Sequence, residues 1–368
     1  MPYIFTDVKA FSKQNNDLAE AMKEYARNYI NERKGLTAFA QHSEEEQGKL
    51  INKAFAAELE KQSGYKIPTG DKVNKTELKR YSQNPMVKYF ADQIENVLID
   101  MILPETLMNS SIRYFADFKF ADLGESISFD IKNNQLFTVS KADYRKRNTN
   151  LQKLFDTTVT MTGTNHMITV GENLFDILTG FGSIARDVMK ATVSIETQML
   201  FEAYEAFTTS MGNLSGNLNV TNYAEKSLIK LCETVTAYNQ GRKAVILGTP
   251  TALKDVLPSN SNYRYVLDDA YVKLGHLQTF NGYDVIPLDQ VADPYNTTAY
   301  SLKLDDTKIY VVSPASDKIV KIGVFGGTLS NGNDAYDMAN KNQFQTLEKS
   351  WETATITNSV AGIVSNLG

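Results

Sequence analysis

Apolar residues recur at helical spacing through the first hundred positions. Leu18, Met22, Tyr25 and Tyr29 share one face of a first predicted helix. A second begins at Ser43, whose hydroxyl caps it while Glu46 reaches back; it carries Leu50, Ile51, Phe55 and Leu59 before Gly64 ends it. After a loop over 66–74, the pair Asn84 and Pro85 opens a third helix, with Met86, Phe90, Ile94, Val97 and Met101 on one side and Pro104 as its stop.

From Ile112 the period changes to two. Ile127, Phe129 and Ile131 face opposite to Ser126, Ser128 and Asp130. Further alternating runs over 136–144 and 153–170 lie on either side of RKRNTN, which predicts a long antiparallel excursion with Arg145, Lys146 and Arg147 near its tip. Two strands alone are marginal in water, so a second subunit is expected to supply the face they pack on.

Ile184, Val188, Ala191, Ile195 and Met199 predict a long helix over 182–210, a rod of about 40 Å at 1.5 Å per residue. MGNLSGN breaks the chain. An amphipathic helix follows with Leu228, Leu231, Cys232 and Val235 on its apolar face, then AVILGTP, a run suited to a strand covered on both sides. Thr249 and Pro250 read as the cap and first position of a short helix. TFNGYDVIPLDQ reads as strands joined at a glycine turn, and KIYVVSP and KIVKIGVFGG as a hairpin turning at ASD. GVFGGTLSNGNDAYD reads as a loop, and residues 344–368 alternate again.

With 368 residues, 42% hydrophobic and 22% charged, the chain can bury a sizeable core and form two or three compact units. A formal charge of −5 argues against a protein that grips nucleic acid by neutralising phosphates, but suits the lining of a container for packed DNA. The start of the chain lacks the pattern of a signal peptide and no segment offers about 18 uninterrupted apolar residues, so a cytosolic product without a membrane partner is expected. The single cysteine, Cys232, excludes an intrachain disulfide and a multi-cysteine zinc site, and its apolar neighbours make it a buried hydrophobe.

Candidate chemistry is sparse. His42, His166 and His276 stand apart and outside metal-ligand spacing. GTPTAL lacks the second glycine and the Gly-Lys-Ser/Thr ending of a phosphate loop, and Gly323, Gly326 and Gly327 do not follow a dinucleotide fingerprint. The acidic groups Glu44 to Glu46, Asp268 with Asp269, and Asp305 with Asp306 lack calcium-loop spacing. The expectation is a non-enzyme with no cofactor, no metal and no catalytic residue.

The order of elements, with AVILGTPTALKDV, TFNGYDVIPLDQ and KIYVVSPASDKIVKIGVFGG after a long helix, resembles the major capsid proteins of tailed bacteriophages, which share the Hong Kong phage capsid fold. The resemblance covers about residues 105–368. It implies an α+β fold with an axial A-domain, a P-domain with a long spine helix, an extended E-loop hairpin and a helical N-terminal arm. The implied division is 1–103 for the helical arm or extension, 104–123 leading into the P-domain, 124–170 for the E-loop, 171–220 for the P-domain with its spine helix, 221–304 for the A-domain, and 305–368 for strands closing both domains.

The implied function is a virion shell protein that assembles in the host cytoplasm through pentamers and hexamers around double-stranded DNA, without sequence-specific binding. Portal, scaffold, maturation protease and decoration proteins are its implied partners. At the E-loop tip Arg145, Lys146 and Arg147 are expected to form inter-subunit ion pairs. Lys132, Lys141 and Asn358 do not support the subfamily that cross-links lysine to asparagine, because no acidic catalytic partner can be assigned. Alternatives are an encapsulin-type cellular compartment, an α/β enzyme with a non-motif site, and an all-β tail-tube protein.

Overall fold

The computed structural model describes residues 16–36, 39, 42–68, 75–133, 137, 152–153, 155–172, 174–258, 271, 274–293, 300–315, 317–337 and 342–367. Helix α1 (Asn16–Arg33) buries Leu18, Met22 and Tyr25, as their spacing predicts. Helix α2 (Glu44–Ser63) starts with a complete capping box: Ser43 Oγ accepts from the Glu46 amide, and the Glu46 carboxylate accepts from the Ser43 amide. It ends at Gly64, whose φ of 72° is the left-handed conformation that glycine adopts without steric cost. Its buried stripe is Ile51, Phe55 and Leu59, with Gly48 on the same side, so the expected Leu50 turns outward and is 52% exposed.

Helix α3 (Lys75–Ser82) is an element the sequence reading did not anticipate. Helix α4 (Pro85–Asn109) opens on the Asn84 cap but runs through Pro104 instead of stopping there. Proline leaves the carbonyl of Asp100 without its intrahelical donor. Burial of Ile99 to Pro104, Thr106 and Leu107 offsets that loss. Met86, expected on the apolar face, is 50% exposed; Val87, Ala91, Ile94 and Leu98 form the stripe that packs.

After a 3-10 turn (Ser111–Tyr114) come β1 (Ala116–Ala121), β2 (Ile127–Ile131), β3 (Thr157–Met161) and β4 (Thr164–Glu172). Short helix α5 (Leu174–Thr179) precedes the long helix α6 (Ile184–Gly212), 29 residues and about 43 Å at the α-helical rise. All five residues of the predicted stripe are buried. The start of α6 is fixed from α2: Asn52 Nδ2 donates to the Gly182 carbonyl at 2.7 Å, and Asn52 Oδ1 accepts from the Ile184 amide at 3.1 Å. Helices α1, α2 and α4 all contact α6 and share its hydrophobic core.

The remaining elements are β5 (Asn219–Val220), α7 (Glu225–Tyr238), β6 (Val245–Gly248), α8 (Pro250–Lys254), β7 (Thr279–Phe280), β8 (Tyr283–Pro287), β9 (Ile309–Val312), β10 (Val320–Asp337), β11 (Asn342–Thr355) and β12 (Gly362–Val364). A six-stranded sheet has the order β5-β12-β9-β6-β8-β7 and a four-stranded sheet the order β1-β10-β11-β4. In the larger sheet Val245, Leu247, Tyr310, Val312 and Ile363 face the core of α6, whereas Ile246, Ile309, Val311 and Val364 face α7 and α8. Coverage on both faces explains the uninterrupted apolar run at 244–247. At the tip of β7 and β8, Asn281 (φ 50°) and Gly282 (φ 85°) form the expected glycine turn.

β9 and β10 are not a hairpin. They belong to different sheets, and the segment through Asp317 carries the chain from one to the other. The return crossing from β11 to β12 is tied to it: Thr357 Oγ1 and Ser359 Oγ donate to the Asp317 carbonyl, and the Asn358 amide to its carboxylate. The glycine-rich stretch read as a loop is strand β10, paired in parallel with β1 and antiparallel with β11. A register shift between Phe325 and Leu329, with Gly326 at φ 63°, absorbs its irregularity as a bulge.

Strands β2 and β3 pair antiparallel from Ile127↔Met161 to Ile131↔Thr157. Their inner face, Ile127, Phe129 and Met161, rests on Ala121 and Phe325. The chain's own β1 and β10 therefore supply the packing face at the base of this ribbon, where a second subunit was expected. Phe325 reaches across because Gly323 leaves room; a Cβ there would stand 3.0 Å from the Phe325 ring.

In β12 a Cβ on Gly362 would meet Leu231 Cδ1 at 2.5 Å, inside the α7 core. Gly362→Ala should lower unfolding stability by about 1–3 kcal/mol through overpacking, and Leu231→Ala in the same chain should recover less than it costs alone. Urea denaturation followed by circular dichroism measures both.

Candidate functional site

The structure concentrates its polar construction where helices meet the four-stranded sheet. In β11 the residues Leu347, Lys349 and Trp351 point inward together, which buries a lysine among apolar neighbours. Lys349 Nζ donates to Asp100 Oδ1 of α4 at 2.7 Å and to the Gly326 carbonyl at 2.8 Å. Asp100 also accepts from the Thr328 amide and hydroxyl, both at 2.6 Å. One buried pair thus pins a helix to the bulge of β10 and to β11.

A second cluster lies on the opposite face of β10. Lys321 Nζ bonds Asp117 of β1 and Asp317 of the inter-sheet crossing, and lies 5.8 Å from the Phe129 ring centre. It joins the root of the ribbon to the crossing. Lys318 Nζ sits 3.3 Å from the same Asp117.

Trp351, the only tryptophan in the chain, forms a third junction. Its indole N–H donates to Glu202 Oε2 of α6 at 2.7 Å, and its ring stacks on His166 of β4 with centroids 3.5 Å apart and planes 6° from parallel. His166 Nε2 lies 3.3 Å from Glu202 Oε1 and Nδ1 lies 3.0 Å from the Thr164 carbonyl. Strand, helix and edge strand are locked at one point.

The two sheets are joined through aromatic packing. Phe115 stacks on Tyr204 and lies 4.4 Å from Phe207, which meets Tyr310 of β9 edge-on at 4.9 Å. Tyr204 Oη donates to the Asp289 carbonyl, whose amide donates to Ser111 Oγ.

The residues considered for chemistry lie apart. His42 is near Glu46 at the start of α2, and His276 Nδ1 lies 3.1 Å from the Leu274 carbonyl. Cys232 is fully buried in the α7 core, and burial pushes its thiol up to about 12. Asp305 is taken up by Thr307 and Lys308, and Asp306 by Gln290. The Glu44 carboxylate accepts from Tyr25 Oη. Thr249 Oγ1 caps α8 through the Ala252 amide, with Pro250 at its first position, as a strand-to-helix turn requires. Asn358 Nδ2 donates to the Lys132 carbonyl at 3.2 Å. Among the described residues no group of three or more His, Cys, Asp or Glu is placed to hold a metal ion, and no helix is long and apolar enough to cross a membrane. Arg145, Lys146, Arg147, Lys141, Asp268 and Asp269 lie outside the described residues.

No protein-family model matches the sequence, and no curated protein matches it. Among solved structures the chain is similar to the subunit of the bacteriophage PhiM1 mature capsid, at 12% identity and TM-score 0.43 over 70% of this chain and 87% of that one. It is similar to the capsid of the Cyanophage P-SCSP1u at 11% identity and TM-score 0.44 over 68% and 85% of the two chains. A virus-like particle from Pyrococcus furiosus matches at 10% identity and TM-score 0.38 over 71% and 95%.

Lys349→Met should cost about 3–5 kcal/mol of unfolding stability, because it leaves the Asp100 carboxylate buried without its cation. Asp100→Leu combined with Lys349→Met should recover most of that loss. A double-mutant cycle by chemical denaturation reads the coupling directly.

Proposed function

We propose that this chain is the shell subunit of a tailed-bacteriophage head, assembling through pentamers and hexamers into an icosahedral capsid around double-stranded DNA. The observation that carries the reading is the β2–β3 ribbon, anchored at its base on Phe325 while Thr157, Thr158 and Thr160 of β3 remain exposed. Two strands cannot hold a long excursion in water alone. The residues between them, 132–156, suit an E-loop laid over a neighbouring copy. Around this ribbon, a rigid body of one long helix and two sheets supplies a subunit whose work is done by repeated interfaces rather than by bond chemistry.

In this reading residues 124–170 are the E-loop, 171–220 the P-domain with α6 as its spine helix, 221–304 the A-domain, and 305–368 the strands that close both. Residues 1–103 form the amino-terminal extension. DNA is enclosed without sequence readout, in keeping with the net charge of −5. Portal, scaffold, protease and decoration proteins are the partners such a shell engages, its place is the virion, and assembly takes place in the host cytoplasm.

Electron microscopy of the purified protein should show closed icosahedral shells; a monomer under every assembly condition would overturn the reading. Arg145, Lys146 and Arg147 are proposed to make ion pairs between subunits. Reversing all three charges should abolish particles while leaving the circular dichroism spectrum and melting temperature of the subunit unchanged.

A further inference from the structure

Strand β4 is an edge of the four-stranded sheet, and the β2–β3 ribbon returns into it through Thr162 and Gly163. His166 ties this returning strand to α6. Its ring lies flat on Trp351, with centroids 3.5 Å apart and planes 6° from parallel. Both rings aim a nitrogen at one carboxylate: Trp351 Nε1 donates to Glu202 Oε2 at 2.7 Å, and His166 Nε2 stands 3.3 Å from Glu202 Oε1. The other nitrogen of the imidazole, Nδ1, stands 3.0 Å from the Thr164 carbonyl.

A neutral imidazole has one N–H and one bare lone pair. Here both nitrogens face acceptors. A carbonyl can only accept, and Glu202 accepts as well, since Oε2 takes the indole N–H and Oε1 takes the Gln198 amide at 2.8 Å. A singly protonated ring therefore sets a lone pair against one of these oxygens. Only the imidazolium completes both contacts, and it adds a cation on the indole face and an ion pair with the carboxylate. The charges around it leave Glu202 as its counter-ion. Lys349 of β11 stands opposite His166 in register, but its ammonium is taken by Asp100 of α4 at 2.7 Å. Glu352 of β11 accepts from Thr164 Oγ1, and Glu348 stands opposite Met167 on the other face of the sheet. Glu205 of α6 lies 3.4 Å from Lys303.

We propose that His166 is a proton-operated latch: protonated, it clips the returning strand of the ribbon to α6 through Glu202 and Trp351, and without that proton it lets β4 loosen from the helix. The side chain is 27% exposed, so its proton exchanges with water. Thr164 belongs to the same strand and travels with the ring. The contact that fails on deprotonation is therefore the one to Glu202, where the bare Nε2 lone pair meets a carboxylate. Among the described residues β4 pairs with β11 alone, so its outer edge holds it in no other sheet contact when it moves. The latch acts within one copy of the chain and goes beyond the shell reading, on which it does not depend.

Trp351 is the only tryptophan in the chain, so its emission reports this stack. An imidazolium on the indole face quenches that emission, and a neutral imidazole does so far less. Between about pH 5 and pH 8, where histidines change charge, the emission of the native protein should rise in one step. Over the same interval the amides of β4 should lose protection from hydrogen exchange, after correction for the intrinsic pH dependence of the rate. His166→Phe keeps a ring on Trp351 but carries no proton; its emission should stay flat and its β4 amides should be equally unprotected at both ends. Flat emission from the native protein, or an equal step in His166→Phe, overturns the latch. A step in emission that leaves β4 protection unchanged overturns it too, because the ring then changes charge without moving the strand. Glu202→Gln keeps an acceptor for the indole and removes the counter-ion. Its β4 protection should no longer follow pH, and protection that still falls as in the native protein overturns the latch even if His166→Phe does not fold.

Discussion

Helix α6 cannot be left in water on either of two adjacent faces, and that constraint organises the molecule. Its buried residues form two neighbouring stripes, Ile184, Val188, Ala191, Ile195 and Met199 beside Ala185, Met189, Thr192, Leu200 and Ala203. This arc is wider than one packed element covers. Helices α1, α2 and α4 cover part of it, and β10, β11 and β12 cover the rest. Thr192, fully buried, returns its hydroxyl to the Val188 carbonyl and adds no unpaired donor. Both sheets and the amino-terminal helices hold their relative positions because each is docked on the same rod.

Apolar packing against a rod tolerates sliding, whereas buried charge does not. The Asp100 carboxylate has its hydrogen bonds from Thr328 and Lys349 in one register of α4 against β10 and β11. A slip of one residue along either strand turns Lys349 toward solvent and strands the carboxylate. Lys321 performs the same task on the other face of β10, where it connects the ribbon's root to Asp317. The ribbon thus leaves a base whose position is set by ionic contacts, while its own inner face is held by Ala121 and Phe325.

Much of this was legible in the sequence because it is local. The capping box at Ser43 and Glu46, the stop at Gly64, the openings at Asn84 with Pro85 and Thr249 with Pro250, and the turn at Asn281 with Gly282 are decided within a few residues. The stripe of α6 and the apolar run of β6 follow from periodicity. What failed was decided by distant partners. The glycine-rich stretch of β10 reads as a loop until β1 pairs with it; Lys321 and Asp117 of that pair stand 204 positions apart. The inter-sheet crossing at Asp317 resembles a hairpin turn because nothing within ASD states that the next strand joins another sheet. Pro104 continues a helix because tertiary burial outweighs the lost backbone bond. Of the candidate contacts, the basic triplet was visible only as charge. Lys349 and Asp100 carried a clearer sign: each is a single charge on an otherwise apolar face, which is how a buried ion pair looks before its partner is known.

The strand orders also bear on the life of the nascent chain. β12 and β9 occupy interior positions of the six-stranded sheet, and β10 and β11 the interior of the four-stranded one. All of them come from residues 309–364, so a ribosome that has made the first 300 residues has made β1 and β4 without the two strands between them, and the β6-β8-β7 part of the larger sheet without β9 and β12. The four-stranded sheet cannot close until translation has passed β11, nor the six-stranded one until it has passed β12, and non-local pairing of this kind forms slowly. Before β10 is made, α6 keeps one flank uncovered, and the platform on which the β2–β3 ribbon stands lacks Phe325. The anchor of the ribbon is thus among the last parts of the described fold to form, and the inner face of β2 and β3 stays uncovered on the nascent chain until Phe325 has been made.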